Sequence, residues 1–134
     1  TARSYETLEL RLGEHAVTLR ALVDTGNTLK DPMTNEPVLV LDWSAAARLL
    51  PESNLREQDF LHPAELMRRL MREYPDLRAR LVPYRAVGVS QGLLLAVRCE
   101  RKGKNGKIAP ALAAFSPTPV SSGGDYEALT GGAA

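Results

Sequence analysis

A chain of 134 residues is long enough to bury one hydrophobic core and too short for two domains of ordinary size. Its 44% apolar and 25% charged residues exclude a wholly disordered polypeptide and point to a globular one. Seventeen Lys and Arg against sixteen Asp and Glu leave a net charge of +1, so no whole-surface attraction to nucleic acid or to an anionic membrane is expected.

In chain order, Leu8, Leu10 and Leu12 alternate with Glu9 and Arg11, the period of a strand with one wet face. Gly13-Glu14-His15 reads as a turn, and Ala16 to Val23 alternates again, with Val17, Leu19, Ala21 and Val23 on one side. The resulting hairpin runs directly into Asp24. Asp31-Pro32 and Thr34-Asn35 predict tight turns before a short buried strand over 37–41. Ser44 is expected to cap a short helix over 45–50 that Pro51 ends, and Ser53 to Phe60 reads as a polar linker. A second helix follows His62-Pro63, with Leu66, Met67, Leu70 and Met71 predicted to share its inner face. Segments 81–87 and 93–97, joined through Gly88 to Gly92, form a predicted hairpin. A charged loop over 100–107, with an Asn-Gly turn signal, leads to an apolar strand over 108–115. The Pro-, Ser- and Gly-rich end is anchored by Tyr126, Ala128 and Leu129, and 131–134 is expected to be a disordered tail to a single domain spanning 1–130.

The lone Cys99 excludes an intrachain disulfide and cannot by itself build a zinc site, so a reducing cytosol is the default compartment and no metal or cofactor is called for. No apolar run approaches the roughly 20 residues that span a bilayer, so the chain is expected to be soluble and cytoplasmic. Because it starts with Thr1, a longer parent carrying anchors or targeting segments is also expected.

The chemistry of the chain concentrates at Asp24-Thr25-Gly26. Two carboxylates about 3 Å apart cannot both ionise; sharing one proton, one takes a proton from water while the other donates to a substrate carbonyl. Each must project from a tight loop after a buried strand, where Thr braces the loop and Gly lets backbone amides lie close to the carboxylate. Val23-Asp24-Thr25-Gly26 supplies these parts once, with no second copy in the chain. The tripeptide is also a good turn, so by itself it is weakly diagnostic.

A longer pattern surrounds it. Ala21-Leu22-Val23-Asp24-Thr25-Gly26-Asn27-Thr28-Leu29, then Asp31-Pro32 and Pro37-Val38, resembles the active-site block of the sporulation sigma-E factor-processing peptidases of endospore-forming bacteria. The likeness continues in Val82 to Gly88 and Gly92 to Ala96, and more loosely in Ala111 to Ser116 and Tyr126 to Leu129, in the same order. It implies a mostly β, retropepsin-like closed or partly open barrel with one or two short helices. It also implies an aspartic endopeptidase active as a homodimer, which removes the pro-sequence from pro-sigma-E and belongs to a parent anchored in the cell membrane, with this domain on the cytosolic side. Asp24 is then the catalytic aspartate, and Thr25, Gly26 and Asn27 complete its loop. Asn27 stands where retroviral-type proteases usually have Ala or Ser, and Ala113-Ala114 where their late strand usually has Gly.

Competing readings are less economical. Gly88-Val89-Ser90-Gln91-Gly92 fits a serine nucleophile elbow, but both histidines, His15 and His62, precede it and the next segment reads as strand. Val87 to Gly92 is better read as a hairpin tip, the candidate flap over substrate. The phosphorylated loop of P-type ATPases needs Lys after its Asp, where Thr25 stands. His62 reads as a cap or surface residue, Cys99 as a strand residue, and Arg98, Arg101, Lys102, Lys104 and Lys107 as a solvated loop or a patch for an acidic partner or membrane surface. A catalytically silent peptide-binding or dimerisation module, or a related dimeric protease with another protein substrate, would share the same loop.

Overall fold

The structure is a computed structural model; it describes residues 3–26, 29–86 and 89–131, excepting the side chains of residues 85, 86 and 89–91. Those residues form seven strands, β1 (Ser4–Leu12), β2 (His15–Val23), β3 (Leu39–Asp42), β4 (Ala79–Ala86), β5 (Val89–Lys102), β6 (Ile108–Ser116) and β7 (Ala128–Thr130), and two helices, α1 (Trp43–Leu49) and α2 (Pro63–Glu73).

The first hairpin closes through Gly13-Glu14 between the paired Leu12 and His15, so His15 belongs to β2 and not to the turn. Gly13 has φ +60°, a backbone conformation a residue without Cβ adopts at little cost. The predicted alternation holds: Leu8 faces Leu19 across the ladder, Leu10 faces Val17, and all four are buried.

From this hairpin the hydrogen-bonded ladders return on themselves. The end of β2 pairs in parallel with β7, β7 antiparallel with β3, β3 in parallel with β6, and β6 antiparallel with β5. The end of β5 then pairs with β1, Glu9 opposite Lys102 and Arg11 opposite Glu100, which closes a ring of strands. Strand β4 lies outside the ring, paired with the first half of β5. The architecture is mostly β with two helices, and the sheet is ring-like.

Both faces of β5 and β6 are buried over Leu94 to Val97 and Leu112 to Phe115, which is why these stretches read as continuous apolar runs. Leu95, Val97, Cys99, Ala113 and Phe115 join Leu8, Leu10, Leu19 and the helical Leu49, Leu66 and Leu70 in the main core. Leu94, Ala96, Leu112 and Ala114 join Val38 and Val82 in a smaller cluster, with Leu29 and Tyr84 packed at its margin.

Four local expectations change. Helix α1 starts at Trp43 with Asp42 in the cap position, so Ser44 lies inside it; the chain enters the helix directly from β3 without a linker. The supposed polar linker folds into two short 3-10 turns, Pro51–Ser53 and Glu57–Leu61, and buries Ser53, Leu55 and Phe60. Its polar groups are met internally: the Ser53 hydroxyl lies 2.8 Å from Glu73 and 3.1 Å from the Tyr74 hydroxyl, and the Phe60 ring sits 6.1 Å from Trp43 and 6.0 Å from Phe115. On α2, Leu66 and Leu70 are buried and Met67 partly so, but Met71 is exposed because an 11-residue helix on a sheet buries only a narrow stripe. The charged loop shortens to 103–107, since β5 continues through Lys102 to reach β1.

Candidate active site

Asp24 is the first residue after β2, and the strand before it is fixed on both sides. Ala21, Leu22 and Val23 pair with Ala128, Leu129 and Thr130 of β7, and with Glu6, Tyr5 and Ser4 of β1. The ladder extends one step further, with the Asp24 N–H donating to the Thr130 carbonyl at 2.8 Å. Beyond it the chain turns outward, and Asp24, Thr25 and Gly26 are exposed. The Gly26 N–H donates to Asp24 Oδ1 at 2.9 Å, which orients the carboxylate over its own turn. A Cβ at Gly26 would stand 3.2 Å from the same oxygen, so the close approach expected of this glycine is present. Asn27 lies outside the described residues.

The chain after the turn is held against β4 and β5. The Val38 N–H donates to the Leu29 carbonyl at 3.0 Å, and Leu29 packs on the smaller core cluster. Between them the loop folds back on itself: the Asp31 N–H reaches Glu36 O at 3.0 Å, and the Asn35 N–H reaches Asp31 O at 2.7 Å. Asn35 takes φ +61°, a left-handed conformation asparagine tolerates better than most residues. Asp31 is buried, accepting from the Met33 N–H at 3.0 Å and the Thr34 hydroxyl at 3.2 Å, and it pairs with Arg80 of β4. Glu36 accepts both arms of the Arg98 guanidinium from β5. That bidentate bond holds the Glu36 carboxyl below its ordinary value and raises Arg98.

From the sequence alone Asp31 is a turn residue, and Arg98 belongs to a solvated basic loop or a patch for an acidic partner or membrane surface. Both assignments are incomplete, because Arg80 and Arg98 lie on the β4–β5 face that meets the loop, whereas nothing in their spacing along the chain reveals which carboxylates they will face. Arg101 likewise leaves the basic loop for β5 and bonds Glu6 at 2.6 Å.

The candidate flap falls at the β4–β5 turn, where Ala86 pairs with Val89. Val87 and Gly88 lie outside the described residues, as do the side chains of Val89, Ser90 and Gln91, whose backbone is the start of β5. Gly92 pairs with Tyr84, and the Tyr84 ring covers it so closely that a Cβ would come within 2.7 Å of a ring carbon. Strand follows Ser90 where a nucleophile elbow requires helix. His15 contacts Glu52 at 3.0 Å and His62 stands exposed before α2 without a side-chain cap bond. Cys99 is buried in β5, and burial pushes its thiol up to about 11, which makes it a poor nucleophile. Among the described residues no group of three His, Cys, Asp or Glu side chains could hold a metal ion, and no helix is long and apolar enough to cross a membrane.

Residues 2–132 match the model of the family described as sporulation factor SpoIIGA. The chain belongs to the SpoIIGA family. It is 30% identical over 131 residues to the sporulation sigma-E factor-processing peptidase of Priestia megaterium, covering 91% of this chain and 41% of that protein. It is 26% identical over 129 residues to the protein of the same description in Bacillus subtilis, covering 92% of this chain and 42% of that one. A candidate sporulation sigma factor-processing peptidase of Bacillus thuringiensis is 27% identical over 136 residues, covering 91% of this chain and 78% of its own length. The chain thus spans about two fifths of the two longer relatives. No solved structure matches it. The SpoIIGA match takes in every strand of the ring, so the Asp24 turn and the loop that Arg80 and Arg98 hold lie within the matched residues.

Proposed function

We propose that this chain is half of an aspartic endopeptidase of retropepsin type, in which two copies each bring Asp24 to a shared site and together remove the pro-sequence from a sporulation sigma-factor precursor, pro-sigma-E. The observation that carries this reading is the setting of Asp24. It is an exposed carboxylate at the end of a doubly paired strand, oriented by the Gly26 N–H at 2.9 Å, in a chain with one Asp-Thr-Gly. A single carboxylate of this kind cannot act as both acid and base. Two brought together share a proton: the ionised member takes a proton from water as it attacks the peptide carbonyl, and the protonated member donates to the carbonyl oxygen. Thr25 and Asn27 complete the loop, and the β4–β5 turn, Val87 to Gly92, closes over the substrate. In the same reading the parent protein is anchored in a membrane, with this domain on the cytosolic side, and the peptidase names of the relatives supply the substrate class.

The test is Asp24→Asn in the full-length protein. Asparagine keeps an oxygen for the Gly26 N–H but cannot exchange a proton, so the variant is expected to fold and associate as the parent does while precursor cleavage falls by at least about a thousandfold. Cleavage at an undiminished rate would remove Asp24 from the mechanism.

A further inference from the structure

Four charged side chains next to the Asp24 loop form one network. Arg80 and Arg98 project from the same face of β4 and β5, since Arg80 lies two residues from Val82, and Arg98 two and four residues from Ala96 and Leu94, all three in the smaller cluster. Ala96 is the residue directly opposite Arg80, so Arg80 and Arg98 stand at diagonal positions of the β4–β5 ladder. Each arginine takes one carboxylate from the loop, Arg80 with Asp31 and Arg98 with Glu36. The pairs are not independent. The Thr34 hydroxyl stands 3.2 Å from Asp31 Oδ2 and 3.1 Å from Glu36 Oε1, Arg80 also acts on Glu36, and Asp31 also acts on Arg98.

The carboxylates belong to the segment directly after the Asp24 turn, and the arginines sit on the two strands that end in the candidate flap. We propose that Asp31, Glu36, Arg80 and Arg98 are positioning residues that lock the loop after Asp24 to the base of the β4–β5 hairpin, and so hold the Asp24 carboxylate in register with those strands. The proposal rests on the reading of Asp24 as catalytic. Apolar packing of Leu29 and Val38 brings the loop near the sheet but is non-directional, whereas a bidentate guanidinium–carboxylate bond fixes both distance and angle. Misplacement of a reacting group by about 1 Å is enough to cost roughly a hundredfold in rate.

The test compares Arg98→Glu, Glu36→Arg and the double exchange in full-length protein. Two readouts are followed: kcat and KM for precursor cleavage below the unfolding temperature, and hydrogen exchange of the Gly26 amide, which bonds Asp24. Each single exchange is expected to lower kcat by at least about tenfold with a smaller change in KM, and to speed Gly26 exchange by a similar factor. The double exchange restores the pair with reversed polarity and is expected to recover most of both. If either single exchange fails to fold, Arg98→Lys keeps the charge and loses the bidentate geometry, with an expected loss of about threefold in kcat. Single variants that retain parental kcat and Gly26 exchange overturn the proposal. So does a double exchange that recovers the melting temperature but neither kcat nor Gly26 protection, because the pair would then be only structural. Asp24→Asn separates the two ideas: activity in that variant defeats the catalytic reading, while Gly26 exchange still judges the network.

Discussion

On one face of the β5–β6 ladder, Leu95, Val97, Ala113 and Phe115 lie against both helices and the leucines of the β1–β2 hairpin, in a core without a buried charge. On the other, Leu94, Ala96, Leu112 and Ala114 meet Val38 and Val82, and beyond this small cluster the contact passes to two ion pairs. Burial of apolar surface is strong and indifferent to direction, so the first face can supply stability with no demand on where any one atom lies. The second face carries the chain that leaves Asp24, and directional bonds take over where apolar area runs out. Stability and placement are thereby assigned to opposite sides of the same two strands.

The largest expected effect comes from the stabilising face. Phe115 is 1% exposed and packs edge-on to Phe60, so Phe115→Ala removes a ring that the surrounding helices cannot refill. A loss of about 3–5 kcal/mol is expected from denaturant unfolding. Leu112→Ala, on the opposite face of the same strand, is expected to cost less, about 2–3 kcal/mol, because the smaller cluster borders a loop that can relax toward it. Equal losses would erase the asymmetry.

Gly26→Ala attacks placement without touching either core. The new Cβ stands 3.2 Å from Asp24 Oδ1, and Gly26 is exposed, so the unfolding free energy should stay within about 0.5 kcal/mol of the parent. The carboxylate, however, must shift by a few tenths of an ångström. Precursor cleavage is expected to fall by about tenfold or more, read as a drop in kcat with the fold unchanged by circular dichroism. An equal loss of stability and rate would show that the turn supports the fold as well as the chemistry.

Much of this division can be read from the sequence, and the unread part has a common cause. Alternation in Leu8 to Leu12 and Val17 to Val23 gives the hairpin and its inner face, and the approach to Asp24 follows from it. The runs Leu93 to Val97 and Ala111 to Phe115 read as strand, although a continuous apolar run cannot show that alternate residues serve two different clusters. The 3-10 turns around Ser53 and Phe60 are hidden because their stability comes from Glu73, Tyr74, Trp43 and Phe115, up to 55 positions along the chain from Phe60. The same holds at the site. Asp24, Thr25 and Gly26 form a local motif and are legible, whereas Arg80 and Arg98 meet partners 49 and 62 residues away. The β4–β5 pairing and the packing of the loop on it create those encounters, and no short spacing encodes them.

The smallest effect tests whether charge, and not shape, holds the second face. The bidentate bond from Arg98 lowers the Glu36 pKa from its ordinary 4.5, so the folded state favours the ionised carboxyl more than the unfolded chain does. The stabilisation is therefore complete above the unfolded value and disappears as pH falls through the lower folded one. Both side chains remain about one quarter exposed, 25% for Arg98 and 28% for Glu36, and solvent screening keeps the contribution to about 1 kcal/mol or less. Glu36→Gln should cost that much in urea unfolding at pH 7, and the gap from the parent should close as the pH is lowered past the folded value. Phe115→Ala provides the contrast, since its penalty involves no proton and should stay level across the same range. A Glu36→Gln penalty that persisted unchanged into acid would assign the loop to the packing of Leu29 and Val38, and the two faces would then differ in size alone.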